Sequence, residues 1–568
     1  MKRPVIEFRD FGFRYKNQTK PTLYDINLTI YEGEKILILG ASGSGKSTLA
    51  SCINGLVPFS EKGVITGSCQ VMGKETQGES IFKLSQVVGT VLQDSDAQFV
   101  GLSVGEDIAF ALENENMPRR DMLPLVEKSA GIVGMQNFLA HLPYNLSGGQ
   151  KQKVALAGVM HGDVQILIFD EPLASLDPSM GMTAIELIDD ICTGQKKTAI
   201  IIEHRLEDVL HRRVDRIVLM DEGHIVVALH PDEFLHGTWL SKYGIREPLY
   251  ITAMKYAGCN LSEQHNLSDF TQMTLSETNH KKLQDFFISK GRLTEGRSDH
   301  KTVIEVEDVT FSYDSILAIQ NNHFTVQAGE RIALIGKNGA GKSTMAKLLC
   351  GILRPRKGRI LLNGEDYLAL SIKEISEHIG YVMQNPNQML VKDIIKDEVA
   401  LALTLRGYSV EQIEDRVKES LEMCNLYSMR NWPVSSVSYG QRKRLTIAVI
   451  LTLRPDTLIL DEPTAGQDFR HYTEIMRFIE MLSEKQSKTI LLITHDMHLA
   501  IEYANRAIVF ADGEIIADDA VFKILADDDI IERANLKHTS LYHLAKKIAV
   551  SPEDFISCFI AYERRMRT

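Results

Sequence analysis

The chain of 568 residues is predicted to be an α/β protein written twice, each copy a largely parallel sheet core with a helical subdomain. Three observations carry that prediction. A long-period repeat returns the same motifs almost three hundred residues later. Within each copy, short apolar runs end in turn or charged residues and alternate with helical patterns. Each copy also places a glycine-rich stretch between such a run and a helix. Two halves of two lobes each agree with the length, because single cores stop growing well before this size.

The repeat sets the organisation. GASGSGKST (Gly40 to Thr48) recurs as GKNGAGKST (Gly336 to Thr344), and NLSGGQKQKVALAGVM (Asn145 to Met160) recurs as SVSYGQRKRLTIAVIL. LIFDEP (Leu167 to Pro172) recurs as LILDEP (Leu458 to Pro463). The separation is 296 residues at the loop lysines and 291 at the DEP aspartates, a tandem duplication with a net deletion of five residues. PLYITAMKYAG from Pro248 echoes SLYHLAKKIAV from Ser540, so the copies are read as residues 1–258 and 301–568. Residues 259–300 have no counterpart. With six acidic and five basic residues they read as a polar linker, partly helical around HKKLQDFFISK. A flexible chain of about forty residues spans roughly 35 Å, enough to let the halves face each other.

Within each copy, EKILILGASGSGKSTLASCI and its counterpart read strand, glycine loop, helix. QILIFDEP and TLILDEP read as buried strands whose polar residues emerge at the carboxyl end, where ligands sit in open α/β sheets. From about Ser85 to Ser147, and again in copy two, the pattern turns mainly helical, which predicts the helical subdomain.

Composition narrows the function. Lys and Arg number 63 against 75 Asp and Glu, a net charge of −12, so no general positive field exists to hold phosphodiester backbones, and no nucleic-acid partner is expected. The 44% hydrophobic and 24% charged content is globular, and apolar runs such as Ile36 to Leu39 are too short to cross a bilayer. MKRPVIEFRD lacks the apolar core of a signal peptide, which points to the cytoplasm. Seven cysteines without a CxxC read as reduced thiols.

Both glycine stretches fit GxxxxGK[ST], a pattern that lets backbone N–H groups curl around phosphate oxygens at a helix N-terminus. The expected cradle is Gly40, Ala41, Ser42, Gly43, Ser44, Gly45, Lys46, Ser47 and Thr48, and in copy two Gly336, Lys337, Asn338, Gly339, Ala340, Gly341, Lys342, Ser343 and Thr344. Lys46 and Lys342 would reach the β and γ phosphates, and Ser47 and Ser343 would bind Mg²⁺. Asp170 and Asp461 end apolar strands, the geometry for a carboxylate holding Mg²⁺; the adjacent Glu171 and Glu462 could polarise an attacking water. A lone DE pair is more often a solvated strand end, but both pairs here follow a phosphate loop. His204 and His495 each lie 34 residues beyond their aspartate after an apolar strand, which sets a donor near a γ phosphate.

These residues resemble one family, the ATP-binding cassette (ABC) ATPases, whose signature is LSGGQ. The resemblance covers both copies and implies two P-loop NTPase domains, each with a RecA-like core, using ATP and Mg²⁺. It implies that Tyr15 and Tyr313 stack on adenine, although a strand tyrosine is about as often simply packed. Gln93 and Gln384, each 57 residues before the signature glutamine, resemble the glutamine that senses Mg²⁺ and signals to a membrane partner. Asp177 and Asp468 resemble aspartates that communicate across the interface. Ser147, Gly148, Gly149 and Gln150, with Ser438, Gly440 and Gln441 in copy two, would cap the ATP of the facing half. The two domains would then pair intramolecularly. Copy two departs from the pattern with Tyr439 in place of a glycine, which predicts two active but unequal sites.

LQDSDAQFVGLSVGEDIAFALEN and MQNPNQMLVKDIIKDEVALAL further resemble the loop and acidic helix of energy-coupling factor (ECF) ATPases, with acids at Glu106, Asp107, Asp397 and Glu398. That resemblance implies a peripheral protein on the cytoplasmic face of the cell membrane, serving an integral coupling subunit and a substrate-capture subunit that import a vitamin or metal ion. The alternatives are a fused ATPase of a peptide or sugar importer and a soluble ABC protein acting on ribosomes or DNA. The intact GKNGAGKS opposes the sugar type, and the near-neutral linker opposes the ribosomal type.

Overall fold

Continuous apolar runs form the central strands of both halves, because a strand covered on both faces needs no alternation. The computed structural model describes residues 3–92, 98–160, 164–174, 176–290 and 301–567. The chain divides into two compact units, Met1–Lys281 and Lys282–Thr568. The strands of the first unit are β1 (Pro4–Tyr15), β2 (Leu23–Tyr31), β3 (Lys35–Leu39), β4 (Gly63–Val71), β5 (Lys74–Glu75), β6 (Val88–Val91), β7 (Ile166–Asp170), β8 (Thr198–Ile202), β9 (Arg216–Asp221) and β10 (His224–Leu229). Six of them form a sheet ordered β10-β9-β3-β8-β7-β6, in which every pairing except β9 with β10 is parallel. This is the expected core.

A second, antiparallel sheet, β2-β1-β4-β5, is additional to the sequence reading. Its inner residues Phe8, Phe11, Phe13 and Ile26 join one core with Leu49 and Ile53 of α1 (Lys46–Asn54) and with Ile36, Ile38, Ile166 and Ile200 of the parallel sheet. A sheet with one apolar face must cover something, and this one closes the helix that follows the glycine loop. The expected helical subdomain contains α2 (Val104–Asn114), α3 (Arg119–Ile132) and α4 (Gly148–Val159), and α5 (Pro178–Gln195) follows β7.

The second unit repeats the plan with β11 (Thr302–Tyr313), β12 (Ile316–Gln327), β13 (Arg331–Ile335), β14 (Lys357–Leu362), β15 (Glu365–Asp366), β16 (Ile379–Val382), β17 (Thr457–Asp461), β18 (Thr489–Ile493), β19 (Arg506–Ala511) and β20 (Glu514–Ala520). Its sheets run β12-β11-β14-β15 and β16-β17-β18-β13-β19-β20. Side chains alternate between two cores: Ile459, Leu491 and Ile493 join Ile332 and Leu334 on one face, whereas Leu458, Leu460, Ile490 and Leu492 turn to the helical side.

The segment after the first copy enters α6 (Glu277–Lys290). The fully buried Asn279 accepts from Asn260 N (3.0 Å) and donates Nδ2 to Asn260 O (3.0 Å). Farther along α6, in the second unit, Gln284 donates to Ile548 O (3.0 Å) and Phe286 packs edge-on against Tyr562 (5.0 Å). The rest of the sequence-read linker, 291–300, lies outside the described residues.

Truncating Asn279 leaves both backbone groups of Asn260 without these partners, at a cost of about 2 kcal/mol. Asn279→Ala should therefore lower the urea midpoint of the first unit, read by Trp239 fluorescence in a Trp432→Phe background; an unchanged midpoint would show that the Asn279–Asn260 bonds do not stabilise it.

Candidate functional site

Three parallel strands end side by side in each unit. Ile38 of β3 and Asp170 of β7 both pair with Ile202 of β8, so the loops leaving these strands converge. The loop after β3 needs its first glycine: Gly40 has φ +156°, and a Cβ there would lie 2.3 Å from Met220 O. Gly336 has φ +142° and would meet Phe510 O at 2.1 Å. Lys46 Nζ donates to Gly40 O (2.8 Å) and Ala41 O (2.9 Å). In α7 (Lys342–Leu349), Lys342 Nζ donates to Gly336 O (2.7 Å) and Lys337 O (2.8 Å). Both lysines are buried against their own loops. Among the described residues the buried Ser44 hydroxyl has no hydrogen-bond partner, which suits a loop completed by an anion.

The carboxylates stand opposite. Ser47 Oγ donates to Asp170 Oδ1 (3.4 Å), and Tyr381 donates its hydroxyl to Asp461 Oδ2 (2.8 Å). Burial pushes both carboxyls above their ordinary range, opposed by hydrogen bonds from Ser47 to Asp170 and from Tyr381 and Ser343 to Asp461. A desolvated carboxylate beside a hydroxyl is a hard-oxygen pair that fits Mg²⁺. Among the described residues no group of three or more His, Cys, Asp or Glu that could hold a metal ion is present.

Glu171 and Glu462 sit in the left-handed region, φ +49° and +46°. That conformation costs a non-glycine residue free energy and holds only where its surroundings impose it. Here Glu171 N donates to Ile202 O and Glu462 N to Ile493 O, each at 2.9 Å. The side chains meet the predicted histidines: Glu171 Oε1 lies 3.0 Å from His204 Nε2, and Glu462 Oε1 lies 2.7 Å from His495 Nδ1.

Signature residues cap helices. Gln150 N donates to Ser147 Oγ (3.4 Å) while Gln150 Oε1 accepts from Ser147 N (2.9 Å), and Ser438 with Gln441 repeats this box at 3.3 and 2.8 Å. The first box opens α4, with Gly148 and Gly149 in its first turn; Tyr439 and Gly440 begin the corresponding helix. Asp177 and Asp468, read as interface residues, are buried caps that accept from Met180 N and His471 N, each at 2.9 Å.

The Tyr15 hydroxyl reaches Thr48 Oγ1 (3.1 Å), and its ring stands edge-on to Phe13; Tyr313 stands edge-on to Phe311 and is 41% exposed. Gln384 is exposed beyond β16, and Gln93 lies outside the described residues. Asp107 accepts from Val100 N (2.9 Å) and Gly101 N (3.1 Å), and Glu398 accepts from Val391 N (2.8 Å) and Lys392 N (2.5 Å). These acids hold the preceding loops from within; the first loop exposes Val100 and Leu102, and the second exposes Val391 beside Lys392 and Asp393.

Sequence reasoning missed Tyr381, Glu203 and Lys443. Their signal was available as differences between matched positions, for Thr90, Thr494 and Gln152 stand at the same points of the other copy.

A family model described as ABC transporter matches residues 23–174 and again 319–465, and one described as ATP-binding cassette cobalt transporter matches residues 238–311. Two relatives, both named "Putative ABC transporter ATP-binding protein", match all of this chain and are matched over all of their own length. The Clostridium perfringens protein is 52% identical and the Enterococcus faecalis protein 50%. The solved structure of cbiO1 from Clostridium perfringens, described as part of the ABC transporter complex cbiONQ, is 30% identical. It covers 44% of this chain and 100% of its own, with a TM-score of 0.39.

Two predictions follow from the geometry. Gly40→Ala should abolish nucleotide binding by the first unit's loop, because the new methyl meets backbone; a fluorescent ATP analogue titrated in a Lys342→Ala background checks this. Burial pushes the Lys443 ammonium down to about 8, against the pull of Glu462 and Asp461. Between that value and the ordinary 10.5, the unfolded chain binds more protons than the folded one, so stability rises with pH across this window. Wild type should accordingly gain stability relative to Lys443→Gln from pH 8 upward in denaturant titrations, and a pH-independent difference would contradict the assignment.

Proposed function

Given that the chain belongs to the ABC transporter family as an ATP-hydrolysing subunit, we propose that it powers an ECF-type importer of a metal ion or vitamin from the cytoplasmic face of the cell membrane. The observation that carries the ATP-hydrolysing part of this reading is the complete set in each unit: a buried loop lysine, a strand-end aspartate, and a glutamate paired with a histidine at 3.0 or 2.7 Å. Two intact sets suit two hydrolytic sites, with residues 1–258 and 301–568 as the ATPase domains.

Lys46 and Lys342 leave their loop carbonyls to hold β and γ phosphates, cradled by the backbone of Gly40 to Thr48 and Gly336 to Thr344. Ser47 with Asp170, and Ser343 with Asp461, would hold Mg²⁺, joined by Gln93 and Gln384. Bound there, the ion neutralises phosphate charge as it develops. Glu171 and Glu462 orient the attacking water and accept its proton, while His204 and His495 hold the γ phosphate from the opposite side. Tyr15 and Tyr313 flank the adenine. The helix tips at Ser147 to Gln150 and Ser438 to Gln441 cap the ATP bound by the facing domain, so that ATP closes the pair and phosphate release opens it.

No helix among the described residues is long and apolar enough to cross a membrane. The reading therefore includes an integral coupling subunit and a separate substrate-capture subunit. The exposed Val100, Leu102 and Val391, on loops braced by Asp107 and Glu398, suit the docking of a coupling subunit. The match of residues 238–311 to the cobalt-transporter model favours a transition-metal cargo within the class.

Glu171→Gln and Glu462→Gln should each lower steady-state ATP turnover, by unequal factors because Tyr439 crowds the cap over the ATP held by Lys46, and together by at least about 100-fold. Indistinguishable single losses would contradict the asymmetry. Leu102→Asp with Val391→Asp should cut recovery of co-purified integral membrane subunits by roughly tenfold without changing ATP binding. Co-purification with ribosomes instead of membrane proteins would refute the transport reading.

A further inference from the structure

The two units support their catalytic glutamates differently. In the first, the buried Glu203 carboxylate accepts from Leu173 N (3.1 Å) through Oε1, and from His204 N (2.5 Å) and Arg205 N (3.1 Å) through Oε2. It thus joins the segment just after Glu171 to the segment carrying His204. Such a carboxylate is costly to bury, and burial pushes its protonation range upward, opposed by Arg205 and His204. The matching residue of the second unit, Thr494, is also buried, but its hydroxyl accepts from Asp496 N (2.9 Å), two residues along its own segment. A threonine side chain cannot make the bridge that Glu203 makes.

The second unit uses a different bridge. The second signature helix (Tyr439–Leu451) carries Lys443, which is 1% exposed and donates Nζ to Glu462 O (3.0 Å). The ammonium thus bonds the backbone of the residue whose strained φ aims the catalytic carboxylate. At the matching point of the first unit, the neutral Gln152 donates to Pro172 O, one residue beyond Glu171. The Glu171–His204 pair is therefore bridged by a carboxylate within the strand ends and touched by its signature helix only beside it, at Pro172, whereas Glu462 itself is bonded by the helix whose tip carries Ser438 and Gln441.

We infer that Glu203 and Lys443 are reciprocal positioning residues: Glu203 aligns Glu171 with His204, and Lys443 transmits displacement of the second signature helix to Glu462. Hydrolysis at Glu462 then depends on where its own unit's helical subdomain stands, and hydrolysis at Glu171 depends on it less. The inference rests on the assignment of Glu171 and Glu462 as the hydrolytic glutamates.

The test isolates each site. Single-turnover phosphate formation from bound ATP is measured in a Glu171→Gln background, where Glu462 acts, and in a Glu462→Gln background, where Glu171 acts. Lys443→Gln should lower the rate constant about tenfold in the first background, with the ATP concentration for half-maximal rate changed less than about twofold. It should change the second background by less than about twofold, and Lys443→Arg, which keeps a charged donor, should recover most of the loss. Glu203→Thr should give the mirror pattern, with Glu203→Gln, which keeps an acceptor oxygen, intermediate.

Amide hydrogen exchange of the purified full chain gives a readout independent of turnover. Lys443→Gln should speed exchange in the peptide containing Glu462 and leave that containing Glu171 unchanged, and Glu203→Thr should do the reverse. Equal losses in both backgrounds, losses confined to ATP affinity, or exchange rising equally in both peptides would overturn the inference. If Glu171→Gln and Glu462→Gln themselves leave turnover at the wild-type rate, the assignment of the glutamates falls, and this inference falls with it.

Discussion

Everything at the site depends on three parallel strands whose carboxyl ends stop side by side. Residues 130 or more apart in the chain, such as Ile38 and Asp170, share Ile202 as a neighbour because parallel ladders align these strands. Once that register is set, the glycine loop, the strand-end aspartate and the histidine have only one place to meet. The main-chain bond from Glu171 N to Ile202 O then holds a glutamate in a conformation it would otherwise leave. The same arrangement, with Ile493 in the place of Ile202, holds Glu462.

Duplication preserved that scaffold and released what supports it. The loops and strand ends recur between the units, whereas Glu171 meets His204 through Nε2 and Glu462 meets His495 through Nδ1, and the groups behind them differ. Tyr381 bonds Asp461, but its counterpart Thr90 accepts from Asn54 (3.2 Å). Buried charge likewise falls on Glu203 in one unit and on Lys443 in the other. Because a buried ion needs dedicated hydrogen bonds, each substitution reorganises its neighbours rather than simply changing volume. The two glutamates are thereby held by different neighbouring groups. The second signature helix also opens with Tyr439 where the first has Gly148.

The acids on the loops before the helical subdomain show how a residue type can be read correctly and its direction missed. Asp107 and Glu398 read as part of an acidic helix, yet they turn to accept main-chain N–H groups of the loops before it. The first loop turns Val100 and Leu102 outward, and the second turns Val391 outward beside Lys392 and Asp393. Signature serines and glutamines carry a similar double meaning, since S-x-x-Q is a helix-capping box whether or not a ligand lies in front of it. Their residue types satisfy the helix terminus first and leave main-chain donors of the first turn for anything that docks there.

From sequence alone came the duplication, the parallel core, the helical subdomain and a histidine at the same 34-residue interval beyond each DE aspartate. These are periodic or repeated signals, and a repeat shows any departure from chance twice. The antiparallel sheet that closes α1 was decided only in three dimensions, because Phe8 and Phe13 are legible as apolar but not as the cover of Leu49. The roles of Glu203, Lys443 and Tyr381 were also decided there. A side chain's partner is set by which strand end or helix turn lies beside it after packing, and that proximity has no trace in local spacing.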